Sequence, residues 1–167
     1  MPTPTHHHRT ILGIHSNIAG DGHDLTAGHA WISVTRAGTT TFYGLWPDKH
    51  PRTVNNGNKT DIRKNLEAGA AGIANRYYLL SPSQSRRLEA EIKKNIEWRY
   101  TNTCASWASE VVLEVLKIDI DADDYLGVET PRELGSSILA LEKKNPTSRS
   151  SPAPIKVKTQ SSSSTGS

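Results

Sequence analysis

The chain has 167 residues, of which 35% are hydrophobic and 22% charged, with a net charge of +3 and a single cysteine. Such a length makes one domain, one cysteine excludes an internal disulfide framework, and no apolar run reaches the ~20 residues of a membrane span. The basic excess lies largely in Lys143, Lys144, Arg149, Lys156 and Lys158, so the rest of the chain is near neutral, which argues against a dedicated nucleic-acid surface.

Residues 1–8, with three consecutive histidines, read as a flexible leader that lacks the apolar core of a secretory signal. The folded domain is expected over 9–143. Residues 144–167 are rich in Ser, Pro and Lys and are expected to be a disordered tail.

Within the domain, Thr10 to Ile14 reads as a first short strand. A loop from His15 to Gly28 holds Gly20, Asp21, Gly22, His23 and Asp24. His29 to Thr35 alternates cleanly, with Ala30, Ile32 and Val34 on one face and His29, Trp31, Ser33 and Thr35 on the other. Thr39 to Trp46 returns as its hairpin partner. A three-residue loop Arg36-Ala37-Gly38 is expected, because Ala37 is a poor residue for the positive φ of a two-residue turn. In that register Trp31 faces Tyr43, and Tyr43 shares the face of His29; the two-residue turn would put Phe42 and Gly44 there instead.

After a polar loop, a short helix is expected around Asp61 to Ala68 and a strand over Asn75 to Leu80. Ser81-Pro82-Ser83-Gln84 is a helix start, with a serine cap, proline at the first position and glutamine at the third. Leu88, Ile92 and Ile96 follow it at four-residue spacing. Asn102 and Thr103 are N-cap residues for a helix from Cys104 to about Leu116, and Thr130-Pro131-Arg132-Glu133 opens a last helix to about Leu141. The fold class that follows is α+β, a small antiparallel sheet packed against about three helices.

Cys104 opens its helix, where unpaired backbone N–H groups and the positive end of the helix dipole favour thiolate over thiol. A cysteine on a helix start and a histidine on a strand are the minimum parts of a cysteine hydrolase. His29 is the candidate base, and Cys104 the candidate nucleophile. Tyr43 is the choice for the group that orients the imidazole, from the hairpin register, with His15, Asp48 and His50 as alternatives. Asn102 or Ser106 could assist the Cys104 N–H in holding an oxyanion. A plain reading competes with this: Cys104, Ala108, Val111, Val112 and Val115 follow helical spacing, so the thiol could be core alone.

No cofactor or metal is expected. His15, Asp21, His23, Asp24 and His29 gather locally without the spacing of zinc motifs. Asp119 to Asp124 lacks the glycine and the bidentate glutamate of a calcium loop. Trp31, Trp46, Trp98 and Trp107 are either core or the lining of a substrate groove.

The order of Gly28-His29-Ala30-Trp31, Phe42-Tyr43-Gly44, Tyr78 to Gln84 and Tyr100 to Trp107 resembles the circularly permuted papain-like cysteine hydrolases, the NlpC-type superfamily, in which histidine precedes cysteine. It is most similar to the small members that act as bacterial type VI secretion effectors. The resemblance implies a permuted papain-like fold, Cys104 as nucleophile and His29 as base. It further implies a cysteine amidase or endopeptidase cleaving peptide or amide bonds in peptidoglycan as an antibacterial toxin, without cofactor. The partners it implies are a peptidoglycan or peptide substrate, an immunity protein in the producer and a secretion-machine carrier, with delivery to the periplasm of a target bacterium. One departure is that Thr103, not asparagine, directly precedes Cys104. The alternatives are an acyltransferase-like or deamidating thiol enzyme acting on lipid or host protein, and a non-catalytic binding domain.

Overall fold

The computed structural model describes residues 9–20, 28–47, 60–99, 101–123 and 128–155. Five strands, β1 (Thr10–Ser16), β2 (Ala30–Arg36), β3 (Thr39–Leu45), β4 (Ile62–Lys64) and β5 (Ala74–Leu80), form one sheet. Among the described residues three helices accompany it: α1 (Pro82–Ile92), α2 (Cys104–Leu116) and α3 (Pro131–Lys144). The sheet order is β4-β3-β2-β1-β5, and every pairing is antiparallel. The protein is thus a small α+β fold.

Alternation decides which face meets the helices. Leu12 and Ile14 lie opposite Val34 and Ile32, and Leu12 lies opposite Tyr78 on the other side. These residues join Leu88, Ala105, Ala108, Val111, Val112, Val115, Leu134 and Ile138 in one buried core. Helix α2 is buried around most of its circumference and packs against α1, α3 and the central strands. A helix enclosed in this way must be apolar nearly all round, which matches its Ala- and Val-rich sequence.

The helix starts form largely as their sequences dictate. Ser81 and Gln84 make a reciprocal capping box at α1, Thr103 and Ser106 make one at α2, and Thr130 caps α3 through the Glu133 N–H. The four-residue spacing Leu88, Ile92, Ile96 does not continue as helix. Helix α1 ends at Ile92, and the Ile96 carbonyl accepts from the Asp61 N–H instead.

Three expectations are corrected. The β2–β3 turn has two residues, with Arg36 opposite Thr39, and both Ala37 (φ 49°) and Gly38 (φ 77°) are left-handed. Such a turn matches the twist of a hairpin, and that match outweighs the cost of positive φ at alanine. The register therefore moves by one: Tyr43 lies opposite Ile32, packs against the core, and is on the face away from His29. Second, residues 61–68 are not helical. Ile62–Lys64 pairs with the end of β3, and Asn65 (φ 61°) turns the chain. Asn65 closes that turn on β3, accepting from the Phe42 N–H with its side chain and donating to the Phe42 carbonyl with its own N–H.

Third, the segment expected as tail is structured to Ile155. Residues after α3 run along the outer edge of β5. Leu79 N–H donates to the Ala153 carbonyl and Ala153 N–H to the Tyr77 carbonyl, while Tyr77 N–H donates to Thr147 Oγ1. Arg76 reaches the Asn145 carbonyl, and the Arg149 guanidinium lies over the Tyr77 ring. A polar sequence can do this because its anchors are mostly backbone groups that would otherwise stand unpaired on an edge strand. The expected leader, 1–8, lies outside the described residues, as do 156–167 of the expected tail.

Candidate active site

Cys104 is the first residue of α2, and only 7% of its surface is exposed. Thr103 precedes it in extended conformation (φ −86°, ψ 177°) and caps the helix by accepting from the Ser106 N–H. Thr103 Oγ1 also reaches the Glu129 carbonyl, tying this turn to the approach to α3. The cap satisfies Ser106, so the N–H groups of Cys104 and Ala105 are the helix-start donors beside the sulfur. Ser106 is committed to the cap, and the Asn102 backbone is committed to Arg99.

His29 stands immediately before β2. Asn17 clamps its backbone from both sides: the His29 N–H donates to Asn17 Oδ1 at 2.7 Å and the His29 carbonyl accepts from the Asn17 N–H. Gly28 permits this approach, because it has φ 92° and a Cβ there would overlap the Ile18 side chain.

The His29 side chain has two partners. Nε2 lies 2.7 Å from Glu67 Oε1. The Cys104 side chain is the other group close enough to act on the imidazole, and with Nε2 engaged by the carboxylate it is Nδ1 that remains to face the sulfur. Burial on its own pushes the imidazolium toward lower pKa. The Cys104 side chain and the Glu67 carboxylate, which accepts from the imidazole, together outweigh burial and hold His29 at about 9. The imidazole is therefore protonated at neutral pH between two acidic groups.

Glu67 sits in the turn after β4, with its side chain 1% exposed. Its Oε1 also accepts from Trp46 Nε1 at 2.7 Å. Gly44 provides the room: a Cβ at that position would overlap Glu67 Oε1 and stand 3.0 Å from His29 Nε2. The register that moves Tyr43 to the core is the same one that delivers Gly44 to this face.

Aromatic rings enclose the imidazole. Trp46 lies 4.1 Å from it between centroids, and Trp31 is stacked at 5.7 Å. Trp31 in turn stacks on His15, and His15 meets the edge of Tyr77. Of the four tryptophans, Trp31 and Trp46 thus belong to the site, whereas Trp107 is in the core and Trp98 packs against it.

His15 does not approach His29 as an orienting partner. It is 2% exposed and held by Asn75 Oδ1 and Ser33 Oγ, each at 2.7 Å. Asn75 Nδ2 donates to the Gly72 carbonyl, which leaves Oδ1 as the acceptor and makes Nδ1 the protonated nitrogen of a neutral His15. Burial drives its pKa down, against the Asn75 hydrogen bond and with the Arg149 charge, to about 4. Asp48, His50, Asp21, His23 and Asp24 lie outside the described residues. Among the described residues no group of three His, Cys, Asp or Glu could hold a metal ion, and no helix is long and apolar enough to cross a membrane.

Cys104 and His29, chosen from sequence, are thus brought together, and Tyr43 is not with them. The carboxylate that holds the imidazole, Glu67, was missed. It fell in a segment read as helix, and its one sequence signal was indirect: a glycine at 44, directly following the aromatic residue chosen for the role. The chain matches no protein-family model, no curated protein and no solved structure.

Proposed function

We propose that the protein is a thiol hydrolase of the permuted papain-like kind, with Cys104 as nucleophile, His29 as general acid and base, and Glu67 as the group that orients and charges the imidazole. The observation that supports this best is the imidazole itself. It stands beside a helix-start cysteine and is hydrogen-bonded to a buried carboxylate, which is the arrangement an activated thiol requires. A thiol that served only as core would have no use for a buried, protonated histidine beside it.

In this reading the Cys104 sulfur attacks a carbonyl carbon, and the developing oxyanion is met by the Cys104 N–H at the start of α2. His29, already protonated, gives its Nδ1 proton to the leaving amine as the C–N bond breaks, leaving a thioester on Cys104. Neutral His29 then takes a proton from water, whose oxygen attacks the thioester. The acid departs, sulfur leaves as thiolate, and the imidazolium is restored. The Glu67 carboxylate holds and stabilises the imidazolium, the part a carboxylate plays in a Ser-His-Asp triad.

The substrate we infer is a peptide or amide bond in peptidoglycan, with the protein acting as an antibacterial effector in the periplasm of a target cell. The sequence resemblance supports this choice, and a Cys-His-acid centre is the right chemistry for an amide. The test is incubation of purified sacculi with wild-type protein, Cys104→Ala and His29→Ala, followed by analysis of the soluble fragments. Release of stem-peptide fragments by the wild type alone is expected, together with toxicity when the protein is exported to the periplasm but not when it is retained in the cytoplasm. Toxicity that persists in Cys104→Ala would overturn the proposal, and Cys104-dependent toxicity confined to the cytoplasm would move the same chemistry to a lipid or protein substrate.

A further inference from the structure

The Glu67 carboxylate is almost wholly buried, yet it is held at one oxygen. Oε1 accepts from both His29 Nε2 and Trp46 Nε1, at 2.7 Å each, while Oε2 has no hydrogen-bond partner among the described residues. The direction of the carboxylate therefore rests on two donors. One is the imidazole that the carboxylate is supposed to orient, so it cannot also be the reference. The other is Trp46.

Trp46 is anchored independently of His29. Its backbone N–H donates to the Asp61 carbonyl at 3.0 Å, and the Asp61 carboxylate is itself tied to the Trp98 N–H at 2.7 Å. The residue is 7% exposed, and its ring covers the imidazole at 4.1 Å with a 41° tilt. A donor on a charged acceptor is among the stronger hydrogen bonds in a protein interior. We propose that Trp46 is a positioning residue of the Cys104–His29–Glu67 site: its indole N–H fixes the Glu67 carboxylate toward His29, and its ring keeps water from the bond between them. The inference rests on the hydrolase reading given above, since it says how that centre is kept in register.

The test uses the full chain and needs no substrate. Cys104 alkylation by iodoacetamide at pH 7 is compared in wild type, Trp46→Phe and His29→Ala. Solvent exchange of the His29 Nε2 proton is followed by NMR in wild type and Trp46→Phe. The Trp46 indole N–H resonance, assigned in the wild type by its nuclear Overhauser contacts with the His29 ring, is followed in Glu67→Gln. Phenylalanine keeps an apolar ring and removes the donor. Alkylation is expected to fall about tenfold in Trp46→Phe, and the imidazole proton to exchange faster. The indole resonance is expected to move upfield in Glu67→Gln, because its acceptor loses charge. That last measurement is made with Trp46 intact, so it decides the matter even if Trp46→Phe does not fold. A folded Trp46→Phe with wild-type alkylation and exchange, or an indole resonance indifferent to Glu67→Gln, overturns the role of Trp46 and leaves the hydrolase reading standing. Alkylation of His29→Ala at the wild-type rate overturns the hydrolase reading and, with it, the function assigned to Trp46.

Discussion

Gly44 lies directly against the Glu67 carboxylate, and the absence of a side chain at 44 is what lets Glu67 reach His29. The glycine sits in β3 opposite Arg63 of β4, so both the strand that makes the space and the strand that leads to the carboxylate are fixed by one pairing.

Gly44→Ala is therefore expected to disturb the site more than the fold. The added methyl group meets the carboxylate oxygen and the imidazole, and overpacking of this kind costs about 1–3 kcal/mol. Thermal denaturation should show a modest loss, while iodoacetamide alkylation at Cys104 should fall toward the rate of His29→Ala. An alanine variant that alkylates like wild type would mean that Glu67 is not needed where the structure puts it.

Glu67→Gln keeps the shape of the side chain and removes its charge. His29 is held at about 9 because Cys104 and Glu67 together outweigh its burial. With Glu67 neutralised, its midpoint should move down toward the ordinary 6.5, as burial regains influence. NMR titration of the imidazole C–H resonances checks this. In wild type, a reaction that uses the imidazolium as acid should lose rate as pH rises through about 9, and in the variant that loss should begin at lower pH.

His15 predicts the behaviour in acid. Its folded-state pKa is about 4, so between 6.5 and 4 the unfolded chain binds a proton that the folded chain refuses. The contribution of this group is therefore fully present above about 6.5 and is lost as pH falls through about 4, by roughly 3 kcal/mol. Denaturant melts at pH 7, 5.5 and 4 on wild type and His15→Gln test this. The variant should show a shallower decline, and an identical one would exclude His15 as its source.

Truncation after Lys144 removes the segment along β5. The Tyr77 and Leu79 N–H groups and the Tyr77 carbonyl lose their partners, and the sheet gains an open edge. Stability should drop by about 1–3 kcal/mol, and sedimentation should show self-association that rises with concentration. A truncated chain as stable and as monomeric as the full one would mean that this segment only rests on the edge.

Much of this architecture is legible in the sequence. The alternation from Ala30 to Val34 gives the sheet its core face, and the caps at Ser81, Thr103 and Thr130 mark all three helix starts, because capping is local chemistry that neighbours in the chain decide. Cys104 and His29 stand out for a similar reason, being placed on elements whose type is locally encoded. The hairpin register was not legible from Ala37. Its propensity argued against the two-residue turn, but the twist of the paired strands prevailed, and one residue of slip exchanged Tyr43 for Gly44 on the His29 face. Glu67 was hidden because its position depends on β4, a three-residue strand that exists only through pairing with β3. The segment from Asn145 to Ile155 looks disordered because its composition says nothing about backbone groups waiting on β5.

The most direct test of the central claim is the rate of iodoacetamide alkylation at Cys104, measured at neutral pH in wild type and in His29→Ala with folding checked by circular dichroism. A coupled Cys104–His29 centre predicts a reactive thiol whose rate collapses when the imidazole is removed. A folded pair of proteins that alkylate at the same slow rate would contradict it, and would leave Cys104 as a residue of the core.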